Sequence, residues 1–464
     1  MAEPARWRRG LTDSGRGYFS LWTDETGEVP VRLFLTEALL AETEDSIYPQ
    51  IVNATCFPGV RLVVITPDVH HGYGVPIGAV ILSDADTGAV ALGPVGFDIG
   101  CGMLSAASEV PAEAATPENR RRFNQEVTRR IALGPGKVSR TRLKALDRRE
   151  FEAIIRGGAA YYIERYGSTV DRTNTERDVI PVSDDWLPPW GGPGRPERGM
   201  PQLGTLGGGN HFIELQENLA RHTLYVQMHS GSRGFGHGLA TNYFHLARIE
   251  NPAIKALDLG YFTPDSRHYR DYLNAVAAGA NFAIVNRLAM FEQIALAFEE
   301  VFKGALRLVY EISHNLVQRE AHPDFGWVHV HRKGATRAFP GGHEALKGTP
   351  WEKAGHPILI PGSNRDSSFI LRALPGASAS GYSVNHGAGR RMSRAAARKA
   401  FAQAEVDAAY RREGVVVNLD GVVPIDESKD AYKPVREVVA AVERAGLAAI
   451  EHELRPLASI KGNQ

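Results

Sequence analysis

The sequence predicts a mixed α/β fold, and three observations carry that reading. Short buried strands recur, each delivering a polar residue to a Gly-rich turn; two long segments carry helical periodicity; and 464 residues with 43% hydrophobic and 23% charged content can bury a large soluble core. Residues 1–50 read as a peripheral lead-in with a short helix around Thr36 to Glu44. The run Arg61 to Ile65 reads as a buried strand leading into Thr66-Pro67-Asp68, and Gly78 to Leu82 and Ala89 to Leu92 as further strands. A basic stretch spans 119–150, read either as a solvated helix face or as a nucleic-acid contact strip. Prolines and glycines between Leu187 and Pro201 mark a long loop, taken as an insertion into one catalytic domain, 51–464. Beyond it, Thr223 to Met228 ends at His229, Leu306 to Ile312 at Ser313-His314-Asn315, and Pro357 to Ile360 at Pro361-Gly362-Ser363. Tyr269 to Lys303 and Ser393 to Arg411 carry the helical period.

Composition excludes several classes. Lys+Arg 53 against Asp+Glu 53 leaves no overall basic field, so any nucleic-acid contact must be local. Cys56 and Cys101 are too few for a disulfide scaffold and suit a reducing cytosol, hence a cytoplasmic expectation. The N-terminal stretch has no apolar run of a signal or anchor. The most apolar segment, Tyr272 to Phe302, is broken by Asn281, Asn286, Arg287 and Glu292, which argues against a membrane span.

The densest chemical signal is Gly96-Phe97-Asp98-Ile99-Gly100-Cys101-Gly102, where a carboxylate and a thiol three apart can address one point. His211 follows three glycines, and His229 and His314 end strands, so five candidate metal ligands stand in matching contexts. Thiolate and imidazole favour zinc or iron, and the carboxylate keeps manganese open. Five ligands are too many for one tetrahedral ion; two ions sharing a ligand fit, the arrangement used for displacement at phosphorus. His229-Ser-Gly-Ser-Arg233 and His386-Gly-Ala-Gly-Arg390 place small residues beside an arginine, as an anion nest does. No Walker or Rossmann glycine pattern and no Lys-x-Asp-Gly signature of nucleotidyl ligases occurs.

Taken together, these segments form a signature. Pro67 to His70 with Gly78, Gly96 to Met103, Leu203 to Gly207, Asn210 to Glu214, His229 to Gly234 and Ser313 to Asn315 come in order. Arg332 to Ala335, Pro361 to Ser363, His386 to Arg394, Ala431 to Lys433 and Lys461-Gly462 complete the series. The chain resembles the RtcB family of RNA-splicing ligases from about Ile51 to Gly462. The resemblance implies a family-type mixed α/β catalytic domain that joins RNA 3′-phosphate or 2′,3′-cyclic phosphate ends to 5′-hydroxyl ends, using GTP and two manganese ions per chain. It implies that Asp98, Cys101 and His211 hold one ion and Cys101, His229 and His314 the other. His386 is the implied nucleophile, with Asp68 as an acid beside the reacting centre. The implied guanylate-binding residues are Asn210, His211, Phe212, Ile213, Glu214, His314, Asn315, Pro361, Gly362, Ser363, Asn364, Ser368, His386, Gly387, Ala388, Gly389 and Lys461. Arg233, Arg390 and Arg394 are expected to meet RNA phosphates. The RNA, whether tRNA halves or otherwise cleaved RNA, and any archease-type activator are not legible from the residues.

The chain departs from the family pattern at three places: Asn364-Arg365 replace Met-Gly, Asn385 precedes the nucleophile where a small residue is common, and Lys429 replaces a proline. The first supports an alternative, an end-processing enzyme that opens cyclic phosphates or guanylylates 3′-phosphates without efficient sealing.

Overall fold

A computed structural model describes residues 6–254 and 256–462. Its strands form two large sheets. The first has seven strands in the order Leu11–Asp13, Phe19–Leu21, Val31–Leu33, Val60–His70, Ile77–Asp84, Gly326–Lys333 and Asn315–His322. The main path of the second runs Arg307–Ser313, Gly102–Pro111, Thr223–Ser230, Phe212–Asn218, Ala448–Lys461, Ser368–Ala373 and Pro357–Ile360, with Val416–Val417 alongside as an eighth strand. Nearly all pairings are antiparallel; Val31–Leu33 with Val60–His70 and Val416–Val417 with Ala448–Lys461 are parallel.

The hydrophobic runs explain why both sheets are covered on two faces. Along Val60–His70, Leu62 and Val64 enter one apolar cluster while Val63 and Ile65 enter another, as the two-residue period of a strand demands. In the second sheet, Leu104, Ile213 and Met228 pack under the helices, whereas Met103, Phe212 and Tyr225 face the opposite side. The helix Tyr269–Phe302 is apolar almost all round because it is covered almost all round: the helices Pro117–Arg130, Arg148–Tyr166 and Arg233–Glu250 pack on it. Helix starts follow the capping rule; Thr116 and Asp147 accept the backbone N–H groups of Asn119 and Glu150.

Several expectations are redrawn. The segment 393–411 is two helices, Arg394–Ala400 and Gln403–Arg412, separated at Phe401 and Ala402. Only Val90–Ala91 of the run 89–92 is strand. The lead-in, expected to be peripheral, supplies three edge strands within its described part, and its 42–47 strap walls the main cavity. Each of those strands is three residues long, too short for a periodic signal. The loop expected at 187–201 is irregular only as far as Arg195; from Pro196 it is the 3-10 helix Pro196–Gln202, which packs on the helix Arg233–Glu250. No helix among the described residues is long and apolar enough to cross a membrane.

Candidate active site and metal centre

Four neighbouring strands of the second sheet bring the ligand residues to one level. Phe212 lies opposite His229, His229 opposite Met103, and Gly102 between Ser230 and Ser313. Cys101, His211 and His314 each stand one residue outside their strand, so strand pairing brings them together at one sheet end. Two groups of potential ligands result: Asp98 with Cys101 and His211, and Cys101 with His229 and His314.

The contacts are close. Cys101 Sγ lies 3.4 Å from His211 Nε2 and 3.1 Å from His229 Nε2, and His229 Nε2 lies 3.1 Å from His314 Nε2. Asp98 Oδ2 is 3.0 Å from His211 Nε2, while its Oδ1 accepts the Ser232 N–H at 2.9 Å. His211 Nδ1 donates to the Leu206 carbonyl at 2.9 Å and His229 Nδ1 to the Asn210 carbonyl at 3.2 Å. Those bonds leave the Nε2 atoms of both rings with lone pairs aimed inward, the usual state of a metal-ligating histidine. A thiol brings one proton to a centre crowded with acceptors; a divalent cation satisfies all of them at once, so the donor set fits a metal. Burial holds His229 and His314 well below the usual imidazole range, and neighbouring histidines reinforce this. Burial, then Asp98, pushes the metal-free Cys101 thiol well up. Asp98 is opposed by burial but ends below the usual carboxylate range because His211 and Arg233 outweigh it.

Arg287, one of the polar residues that interrupt the apolar segment 272–302, braces this centre. Wholly buried in the long helix, it pairs with Glu311 and donates to the carbonyls of Gly100 at 2.7 Å and Ser230 at 2.8 Å, and to Ser313 Oγ at 2.9 Å. It therefore ties the three strand ends that carry Cys101, His229 and His314. The signal was present as a charge inside an apolar helix, where an arginine persists only if its donors are satisfied.

His386 follows the short strand Ser383–Asn385. Its ring meets His314 edge-on, centroids 4.7 Å apart. Its Nδ1 lies 2.7 Å from Asp68 Oδ2, and Thr66 Oγ1 donates to Asp68 Oδ1 at 2.6 Å. Full burial opposes the Asp68 charge, but the histidine and the hydroxyl outweigh it and hold the carboxyl below its ordinary range. The turn after His386 needs glycine: Gly389 has φ +75°, and a Cβ there would lie 2.2 Å from the Asp68 carbonyl oxygen. Lys433, also buried, donates to the carbonyls of Val69 at 2.6 Å and Pro67 at 3.2 Å, fixing the strand that carries Asp68. Burial lowers its pKa to about 8.

These groups stand at a cavity of about 790 Å³ between the two sheets. Of the expected guanylate residues, Asn210, Phe212, Glu214, Pro361 to Asn364, His386 to Gly389 and Lys461 line it. His211 and His314 belong to the metal centre, Ile213 points into the helix-side core, Asn315 Oδ1 accepts the Gly334 N–H, and Ser368 lies behind Gly362. Ile213 is the residue that strand alternation turns away from the cavity. Burial raises Glu214 to about 8.

The arginines expected on RNA phosphate are otherwise engaged. Arg233 packs against Gly207 and the His211 ring and does not line the cavity. Arg390 reaches Glu427 at 3.4 Å and the Asp426 carbonyl at 2.8 Å; Arg394 reaches Asp426 at 2.9 Å and Glu427 at 2.5 Å. Glu427 also receives Lys461 at 2.8 Å and the Tyr432 hydroxyl at 2.6 Å, so one buried carboxylate gathers the cationic groups of this wall. Arg365 likewise faces Glu413 at 3.0 Å and the Tyr410 ring, and Lys429 pairs with Asp366 at 2.6 Å. Two of the unusual positions thus form local ion pairs outside the cavity lining, while Asn364 accepts from Tyr410 at its edge.

What such a floor can do is hold divalent ions against phosphate oxygens while an acid-oriented histidine attacks phosphorus, which defines the class of metal-dependent phosphoryl- and nucleotidyl-transfer enzymes. Comparison with known proteins gives the family. The family model described as tRNA-splicing ligase RtcB matches residues 50–462. The tRNA-splicing ligase RtcB of Nanoarchaeum equitans is 34% identical over 94% of this chain and 95% of its own length. The RNA-splicing ligase RtcB of Mycobacterium tuberculosis is 35% identical over 89% of this chain and 100% of its own. The tRNA-splicing ligase RtcB of Methanococcus maripaludis is 31% identical over 94% of this chain and 95% of its own length. The chain belongs to the RtcB family of RNA ligases.

Proposed function

We propose that the protein is a GTP-dependent RNA ligase that joins 3′-phosphate or 2′,3′-cyclic phosphate ends to 5′-hydroxyl ends, on tRNA halves or other cleaved RNA. The observation that carries the reading is the Asp68–His386 bond at 2.7 Å, beside the donor cluster and open to a nucleotide-sized cavity. With Nδ1–H donated to Asp68, His386 Nε2 keeps its lone pair for attack.

Two manganese ions would be held by Asp98, Cys101 and His211 and by Cys101, His229 and His314, where they would neutralise charge on phosphate oxygens. His386 Nε2 bonds to the α-phosphorus of GTP as the bond to pyrophosphate breaks, and Asp68 balances the charge gained by the ring. An RNA 3′-phosphate oxygen then attacks that phosphorus and frees His386; a cyclic end is first opened by water. The 5′-hydroxyl finally attacks the RNA phosphorus, loses its proton and releases GMP. Asn210, Phe212, Glu214, Pro361 to Asn364 and Lys461 supply the wall on which GTP would lie.

The end-processing alternative drew on Arg365, and the pairing of Arg365 with Glu413 takes that support away. The test is incubation with labelled GTP, manganese and an RNA bearing cyclic phosphate and 5′-hydroxyl ends. Acid-labile, alkali-stable GMP on the protein, absent in His386→Ala, together with sealed RNA, is the expected result; labelling that persists in the variant sinks the nucleophile assignment.

A further inference from the structure

With Arg233 away from the cavity and Arg390 and Arg394 held by acids, the RNA needs another hold, and the first sheet's wall offers one. There the turn His71-Gly72-Tyr73-Gly74-Val75 leaves the strand Val60–His70 and borders the same cavity as His386. Its backbone is pinned from beneath. Gln50 clasps Gly72 from both sides, its Nε2 donating to the carbonyl at 2.5 Å and its Oε1 accepting the N–H at 3.0 Å. Asn53 Nδ2 donates to the Gly74 carbonyl at 2.8 Å, and Lys333 Nζ to the carbonyls of Tyr73 at 2.6 Å and Val75 at 3.3 Å. Lys333 is buried, and burial lowers its pKa to about 8, so a desolvated ammonium is spent on a surface turn.

All this order presents the Tyr73 ring to solvent, beside exposed His71. Tyr73 is 73% exposed, more than any other large aromatic among the described residues, and no aromatic ring of those residues stacks on it. An exposed ring on a loose loop would be an ordinary surface residue. A ring whose backbone is fixed by five side-chain hydrogen bonds, at the mouth of the catalytic cavity, is pre-organised to receive a flat partner. Its neighbours say which face of a nucleotide it takes. Glu42 and Glu44, exposed on the adjoining strap, repel phosphate, and Arg391 on the cavity rim is itself paired with Glu42 at 3.8 Å. An acidic surround of this kind suits the base of a nucleotide against the ring rather than its phosphate.

We propose that Tyr73 is a stacking platform for the terminal base of the RNA strand whose 3′-phosphate is delivered to His386. The inference rests on the proposed ligase reading and adds to it the place and chemistry of the RNA hold. Because every base has a π face, the platform tolerates any terminal base. Stacking releases no counterions, so it contributes affinity without adding to the salt dependence.

The experiment compares the wild type with Tyr73→Ala, Tyr73→Phe and Tyr73→Trp, using metal-loaded full-length protein and a single-stranded 3′-phosphorylated oligonucleotide. Fluorescence anisotropy across a salt series reads affinity, and labelling by GTP without RNA serves as the fold and site control. Tyr73→Ala should weaken binding about 5- to 50-fold, the Phe and Trp variants should hold it, and the slope against log salt should stay the same. An abasic terminal nucleotide should erase the difference between the wild type and Tyr73→Ala. Equal affinity of wild type and Tyr73→Ala, a changed salt slope, or a loss that persists with the abasic end overturns the platform. A wild type that neither takes label nor binds the oligonucleotide overturns the ligase reading, and the platform with it.

Discussion

Asp68 and His386, more than three hundred residues apart in sequence, meet at 2.7 Å, with the His386 backbone N–H donating to the same carboxylate oxygen at 3.2 Å. A single buried oxygen thus fixes both the tautomer and the position of the ring. Asp68→Asn should keep the fold and remove the tautomer control, since an amide can donate to Nδ1 and leave the proton on Nε2. Guanylylation should fall about 10³- to 10⁴-fold, the scale of the same change in a serine-protease triad. Nitrogen chemical shifts of His386 should show the exchanged tautomer, and unchanged labelling would refute the role given to Asp68.

Metal uptake should be proton-coupled through Cys101. The metal-free thiol is held protonated by burial and Asp98, while His229 and His314 are held neutral. Binding must therefore expel the thiol proton, and affinity should rise with pH by up to about tenfold per unit around neutrality. Cys101→Ser should lose both ions and the released proton; His314→Ala should retain one ion. Metal analysis after dialysis and pH recording in weak buffer read both outcomes.

Glu214 predicts a pH slope of stability. Its folded pKa, about 8, exceeds the ordinary value of 4.5, so between these values the folded state binds the extra proton. The contribution is fully present below about 4.5 and is lost as pH rises through 8, at most about 1.4 kcal/mol per unit. Denaturant unfolding of metal-free protein at pH 5 and pH 8 should show Glu214→Gln gaining on the wild type at the higher pH. Parallel behaviour would show that Lys461 keeps the carboxylate ionised.

Exchanging Asn364-Arg365 for Met-Gly should act on stability rather than on chemistry. Arg365 stacks on Tyr410 and pairs with half-exposed Glu413, contacts together worth about 1 kcal/mol. The midpoint of unfolding should fall slightly while guanylylation and sealing keep their ratio. A shift in that ratio would restore Arg365 as a substrate contact.

Much of the site was legible because its geometry is local to strand ends. His229 and His314 announce themselves as polar residues where apolar runs stop, Cys101 through its glycine-flanked place three residues after Asp98, and strand pairing carries them to one level. Ile213 shows the limit of carrying roles over by motif, since its neighbours Phe212 and Glu214 take the cavity face. The fates of Arg390 and Arg394 were not legible. Their partners, Asp426 and Glu427, come from a turn more than thirty residues downstream, and no short-range pattern reports such a pairing. The edge strands of the lead-in escaped for a different reason: three residues cannot display a period.

The donors of the metal centre come from Asp98, Cys101, His211, His229 and His314, delivered by strands that neighbour one another in the sheet but are spread over more than two hundred residues of chain. A zinc finger collects its metal within one short stretch and can do so while the rest of a protein is still being made. Among the described residues neither donor group lies within one such stretch. During synthesis the first three-residue group is complete only once the segment bearing His211 has emerged and docked, and the second only once that bearing His314 has followed, so each donor set depends on strand pairing. Arg287, which ties three of those strand ends, makes their pairing a condition for the donors to converge.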